Sequence, residues 1–473
     1  MRVTIVNPPQ GIATGRKPNI DSRPYFFPPG LLYLAGAVER AGFETEILDF
    51  PLLEWDLSDF ERWVSREEPD VLGLTFCSPS LPYARVLAET TRTHSPGTRI
   101  VVGGPHATFA PDACLQEGWT EYVVRYEGEI SFPNLIREIE RGRQASETLG
   151  VSYRHDGKVI HNANTPFVED LNSLGIPAYH LIDMARYKEI LDRSPMCAMR
   201  GCPYTCNFCT IPKLMGSYRA RAPQIVAEEM QHVAETYGMR RFSFTDPTFT
   251  LNTKRLEHMR DAIQALKLDV KFGIQTRVDT LSDSILDLLG DMGCVAIFFG
   301  IESGSREVLS SYTKNYKVNV IAELAKVRDK GFDIIPSFMI GSPEESAEDI
   351  DATIDLAQTI IQELGLRDQG NSAGGNYQIN VYGPFPGVKA PFPLELSIEY
   401  APVIPLSGTR SMAREEVREK WHRVWEIFFP DFFQAYLDIE AAAENGRNLL
   451  LEKFVEGSAY HKRQMGALQI GRC

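Results

Sequence analysis

Apolar and polar positions along the chain fall into short apolar runs separated by longer amphipathic ones. Val3–Asn7 is apolar and ends in Pro8-Pro9, which predicts a short strand. After a long loop, Leu31–Ala41 carries small and apolar residues on one helical face and stops at Gly42. Thr45–Asp49, Val71–Phe76, Arg99–Val102 and Tyr122–Val124 predict four more strands, and a helix follows over Ser131–Glu140. Val71–Phe76 is apolar on both faces, which places it centrally in a parallel sheet. Strands and helices alternating at this spacing predict a doubly wound, Rossmann-like α/β sheet, and such sheets bind ligands at the carboxyl ends of their strands.

The pattern then changes. Val151–His161 reads as a hairpin turning at Asp156-Gly157, and an irregular stretch with Pro166, Leu171, Leu174 and Pro177 follows. Alternation resumes with strands over Pro195–Arg200, Arg241–Asp246, Lys271–Arg277, Val295–Gly300, Asp333–Ile340 and Tyr377–Tyr382, and a proline opens the helix Pro223–Tyr237. Six strands with polar or glycine-rich sequence at one end of each predict a partial (β/α)6 barrel with its site at that end. Ser411–Phe429 and Asp431–Asn445 predict helices rich in aromatic residues, among them Trp421, Trp425, Phe428 and Phe432, either packed over the barrel or forming a lid. The predicted organisation is a first domain over 1–148, a connector over 149–190, the barrel over 191–395 and a helical segment over 396–473.

Candidate chemistry sits just after the first barrel strand. Cys202, Cys206 and Cys209 form a CxxxCxxC loop between Gly201 and the next helix, with Gly201 and Pro203 suited to a tight turn. Three thiolates can hold three corners of a [4Fe–4S] cluster and leave one iron open for chemistry. The competing reading is zinc completed by Cys197, but no second cysteine pair at zinc-knuckle spacing exists. With Phe208 before its last cysteine, the loop resembles that of radical S-adenosylmethionine (SAM) enzymes.

That resemblance implies that the open iron binds the amino and carboxylate groups of SAM, whose cleavage yields a 5′-deoxyadenosyl radical that abstracts hydrogen. It also implies roles residue by residue. Thr245 and Asp246 match the strand end whose backbone meets the SAM amino group, although the family's Gly-Gly-Glu is absent. Arg277 is placed for the carboxylate; Glu302 and Ser303, in Gly300-Ile301-Glu302-Ser303-Gly304, resemble the ribose-binding segment; Phe208, Gly341 and Pro343 resemble adenine contacts. Arg277 and Glu302 could instead form a mutual ion pair. Tyr218, beyond Cys209, is a candidate proton or hydrogen donor, or a packed loop aromatic.

The first domain resembles the cobalamin-binding domain that precedes many radical SAM domains, through Phe27-Pro28-Pro29-Gly30, Val101-Val102-Gly103-Gly104-Pro105-His106 and Glu127-Gly128-Glu129. Thr75, Ser78 and Ser80 would set hydroxyls at the tip of the third strand, and Gly103 and Gly104 would open the fourth to close backbone approach. The cobalt-ligating Asp-x-His-x-x-Gly is replaced by Asn7-Pro8-Pro9-Gln10-Gly11, so cobalamin, if used, is expected without a lower histidine ligand. His106 could be a ligand, but a loop histidine in a turn is the preferred reading.

Composition narrows the partners. The 473 residues carry a formal net charge of −14, which argues against a nucleic acid partner and suits a small molecule, a cationic aminosugar included. Eight cysteines in this length are too sparse for a disulfide framework, which predicts a reducing cytoplasm. No apolar stretch is long enough for a membrane span. The expected activity is cobalamin-dependent methylation of an unactivated carbon, with electrons from a flavodoxin, ferredoxin or reductase. The alternative is cobalamin-independent dehydration of an aminoglycoside-type diol. A radical SAM enzyme acting on RNA would call for a basic appendage, and a cobalamin sensor would want a fourth cluster ligand.

Overall fold

The computed structural model describes residues 1–9, 29–53, 55–116, 118–340, 342, 345–366, 378–381 and 386–387. Strands β1 (Arg2–Asn7), β2 (Glu44–Asp49), β3 (Val71–Thr75), β4 (Arg99–Gly103) and β5 (Tyr122–Val124) form a parallel sheet in the order β2-β1-β3-β4-β5. Chain order reverses between β1 and β3, so their carboxyl ends open a crevice between loops that diverge to opposite faces. Leu72, Leu74, Ile100 and Val102 pack against one layer, while Val3, Ile5, Val71 and Val101 pack against the helices Pro29–Arg40 and Gly128–Glu140 on the other.

The hairpin is part of this sheet. β6 (Val151–His155) pairs antiparallel with β5, and β7 (Lys158–His161) covers β6. Its Asp156-Gly157 turn has φ of +49° and +76°, as a two-residue hairpin turn requires. Read from sequence it is a connector; in the fold it closes the edge that β5 would otherwise expose.

The second sheet runs β15-β14-β13-β12-β11-β8, all parallel, from β8 (Ser194–Met196), β11 (Arg241–Phe244), β12 (Lys271–Thr276), β13 (Cys294–Glu302), β14 (Asp333–Ile340) and β15 (Gln378–Val381). Each strand pairs with the next in this chain order, the connectivity of an open (β/α) barrel. Phe242, Phe272, Ile297, Phe299 and Phe338 are buried in its core with the helices Pro223–Tyr237, Thr253–Ala265 and Asp283–Asp291. Burying one such side chain contributes roughly 1.5–3 kcal/mol.

The first barrel strand is shorter than its apolar run. The Asp246 carboxylate accepts hydrogen bonds from the amides of Ala198 (3.0 Å) and Met199, drawing the chain away from the sheet after Met196. Met199–Arg200 then forms a separate strand, β9, antiparallel to β10 (Arg219–Ala220). The C-terminal helices and their aromatic residues lie outside the described residues. Among the described residues no helix is long and apolar enough to cross a membrane.

Candidate cofactor and radical site

β9 and β10 are the two stems of the cysteine loop. Gly201 has φ +78°, and a Cβ there would lie 2.1 Å from the Ser217 carbonyl oxygen, so the first turn of the loop admits only glycine. The amide of Cys202 donates to the Gly216 carbonyl (3.4 Å) and that of Cys209 to the Cys206 carbonyl (3.1 Å). Asn207 ties the loop tip to the far side of the barrel: its amide donates to Tyr312 O (3.2 Å) and its side chain to Ser311 O. The three thiols are partly exposed and form no disulfide. Burial pushes the Cys206 thiol up against the pull of Lys314 and Arg277, and pushes Cys209 up to about 11.

Among the described residues no three His, Cys, Asp or Glu side chains converge as ligands of a single metal ion. Three sulfur donors on one glycine-hinged loop fit the separate corners of an iron–sulfur cluster.

The alternative of a mutual Arg277–Glu302 ion pair does not hold. Arg277 makes a two-pronged pair with Asp279 (2.9 and 2.8 Å), lies 4.0 Å from the ring centre of Tyr204, and directs Nη1 to within 3.9 Å of Cys206 Sγ. Glu302 Oε1 accepts from Lys314 Nζ at 2.6 Å, and that ammonium also lies 5.9 Å from the Phe208 ring. Phe208 packs edge-on against Tyr312 with centroids 5.0 Å apart. Glu302 sits at φ +70°, where the β13–β14 register shifts; a left-handed non-glycine residue is a strained position of the kind that aims a functional side chain.

Other expected residues are placed as follows. Ser303 is buried, with its hydroxyl shared with Thr353 (2.9 Å) and accepting from the Ser305 amide, so that side chain serves the turn. Asp246 is fully buried; burial pushes its carboxyl up to about 7, opposed by Arg255 and the two amides, and its side chain faces the β8 end. Thr245 bonds Met196 O through both amide (2.9 Å) and hydroxyl (3.1 Å). Tyr218 is half-buried near Arg255 and Asp246 and does not reach the cavity described next. Gly341 and Pro343 lie outside the described residues.

A cavity of about 490 Å³ opens at the carboxyl ends of β1, β3, β4 and β5. Asn7, Thr75, Gly103 and Gly104 form its floor, and Cys197, Arg200, Leu214, Met215 and Thr245 of the second sheet and the cysteine-loop region face it from the other side. Gly104 has φ +91°, and a Cβ there would lie 2.8 Å from the backbone of Phe76, so the floor is bare backbone. This glycine-lined, largely apolar crevice fits a broad cofactor such as cobalamin. Ser78 departs from expectation: its hydroxyl is buried and 2.7 Å from His106 Nδ1, and neither residue faces the cavity. His106 is no turn residue but lies in the short helix Pro105–Phe109, 2% exposed, where burial lowers it to about 4.

The roles of Tyr204, Asp279 and Lys314 escape sequence reading. Tyr204 and Lys314 are far in sequence from Arg277 and Glu302, and only the fold brings them together; Asp279 is two residues from Arg277, yet nothing in the sequence marks it as that residue's partner.

Two stretches match known families: residues 18–136 the B12 binding domain, and residues 196–357 the radical SAM superfamily. An uncharacterized methyltransferase of Pyrococcus horikoshii is 30% identical over 395 residues, 82% of this chain and 82% of that one. The anaerobic magnesium-protoporphyrin IX monomethyl ester cyclase of Rubrivivax gelatinosus is 27% identical over 344 residues, 70% of this chain and 62% of the cyclase. The structure of the radical SAM methyltransferase TsrM of Kitasatospora setae, with cobalamin and [4Fe–4S] cluster bound, shares the fold: TM-score 0.63 at 19% identity, covering 84% of this chain and 74% of that one.

Proposed function

Because the chain belongs to the radical SAM superfamily, in the branch that carries a B12 binding domain, we propose that it methylates an unactivated carbon of a small-molecule substrate. The observation that carries this reading is the shared cavity, with Thr75, Gly103 and Gly104 on one wall and Cys197, Arg200 and Thr245 on the other. When bound, the cluster, SAM and cobalamin supply an electron, a hydrogen-abstracting 5′-deoxyadenosyl radical and a transferable methyl group.

In this reading Cys202, Cys206 and Cys209 hold the cluster, and Glu302 accepts hydrogen bonds from the SAM ribose, a task for which a carboxylate suits two neighbouring hydroxyls. Thr245 and the Asp246 backbone receive the amino group, while Phe208, with Gly341 and Pro343, lines the adenine. Arg277 meets the carboxylate through Nη1, because Asp279 occupies its other edge. Thr75, Gly103 and Gly104 lie against cobalamin. The acidic chain suits a cationic substrate such as an aminosugar, the electron donor is a flavodoxin, ferredoxin or reductase, and the setting is a reducing cytoplasm. Dehydration without cobalamin would leave the cavity between the two domains without a use, which is why methyl transfer is preferred.

The test is anaerobic. After cluster reconstitution, SAM and dithionite should yield 5′-deoxyadenosine, and the purified protein should retain added cobalamin through gel filtration. With substrate, product mass rises by one methylene. 5′-Deoxyadenosine without cobalamin retention, with loss of water from substrate, would sink the methylation reading and favour dehydration.

A further inference from the structure

The stems of the cysteine loop carry an electrostatic conflict. The register of β9 and β10 sets Arg200 directly opposite Arg219. Their side chains are only 8% and 7% exposed. Like charges facing each other across a ladder repel, and away from water little screens them. Their counter-charges come from the other domain, from the N-cap and first turn of the helix Gly128–Glu140 that follows β5. Glu127 grips Arg219 with both oxygens (2.8 and 3.0 Å) and lies 3.1 Å from Arg200. Glu129 takes the second Arg200 nitrogen at 2.5 Å. Glu127 also accepts from the Val168 amide (2.8 Å), which anchors the carboxylate to the connector. Two cations and two anions thus form a closed set, with the Cys202–Cys209 loop beginning two residues beyond Arg200.

We propose that Glu127 and Glu129, which also line the cavity with Arg200, are positioning residues that hold the cluster loop closed, so that the first domain completes the iron–sulfur site. The inference rests on the cluster reading, and its test leaves cobalamin out because the same carboxylates line the cavity. Neutralising Glu127 leaves the two opposed guanidiniums with one counter-charge, and the stems separate.

The experiment uses the full chain without cobalamin. Iron and sulfide per chain are measured after anaerobic reconstitution of wild type, Glu127→Gln, Glu129→Gln and the double variant E127Q/R219Q. The electron paramagnetic resonance spectrum of each dithionite-reduced protein is recorded, and hydrogen exchange across residues 200–219 is followed in the iron-free proteins. Each single glutamine variant is expected to lose iron severalfold and to exchange faster in that segment. The double variant is expected to recover much of the iron, because the removed anion takes one buried cation with it. Wild-type iron, spectrum and exchange in both single variants would overturn the proposal. So would a double variant at least as impaired as Glu127→Gln, since a merely structural loss would add. Failure of the wild type to bind iron would overturn the cluster reading itself, and this proposal with it.

Discussion

Glu302 shows how much one residue depends on its neighbours' absence. Gly300 has no side chain, and a Cβ there would lie 2.4 Å from Glu302 Oε1 and 2.7 Å from Lys314 Nζ. The acid's type and place at a strand end were legible in Gly-Ile-Glu-Ser-Gly; its partner was not, because Lys314 is twelve residues on and joins it only through the turn after β13. Glu302→Gln removes a charged acceptor, and a charge-assisted hydrogen bond contributes roughly 1.5–3 kcal/mol. SAM affinity, read by equilibrium dialysis, should fall about tenfold or more. Gly300→Ala should weaken SAM in the same direction with every proposed contact residue intact.

His106 gives a pH signature at the same scale. Its folded value is depressed by burial to about 4 from an ordinary 6.5. A base held neutral by the fold must be protonated more readily in the unfolded chain. Stability is therefore fully present above about pH 6.5 and declines as pH falls toward 4. The loss between roughly pH 7.5 and pH 5 is about 2 kcal/mol. Denaturant melts across that range should show this slope in wild type and a shallower one in His106→Gln, which keeps a polar group near Ser78 but does not titrate.

At the scale of elements, strand existence was legible and strand ends were not. Apolar runs locate a strand because burial demands them, yet Pro195–Arg200 splits where the Asp246 carboxylate captures two amides, an event with no periodic trace. The hairpin at 151–161 was recognisable from Asp156-Gly157, but its pairing with β5 was not, since register across chain segments is a tertiary property. The cysteine loop itself was fully visible from spacing. Gly201 was legible as a turn residue; its left-handed φ and its close approach to Ser217 were not. Gly201→Ala combines a left-handed φ with a 2.1 Å approach to Ser217 O, and the loop cannot relieve both. Iron bound after reconstitution should fall as far as in Cys206→Ala, although no thiol is touched. Replacing Cys114, buried in the first domain, should leave iron content at the wild-type level.

Across the whole molecule, the two domains contribute opposite walls of one cavity, and the floor of that cavity can be changed apart from the contacts that hold the cysteine loop. Gly103 is the position to use. Unlike Gly104 its φ is ordinary, and an added Cβ would meet only the Val124 carbonyl, at 3.3 Å, a contact that a shift of a few tenths of an ångström relieves. Gly103→Leu therefore leaves β4 in place while filling the floor of the cavity with a branched side chain. The cysteine loop is held by Gly201, Asn207 and the Glu127 and Glu129 carboxylates; the two carboxylates share the cavity with Gly103 but neither bonds to it. The expected outcome is dissociation. Cobalamin retained through gel filtration should fall at least tenfold, while iron content and SAM cleavage to 5′-deoxyadenosine remain near wild type. Loss of cobalamin and iron together would mean that the floor and the cluster loop fold as one unit. Retention of both would place the cofactor somewhere other than the crevice at the β1–β3 switch point.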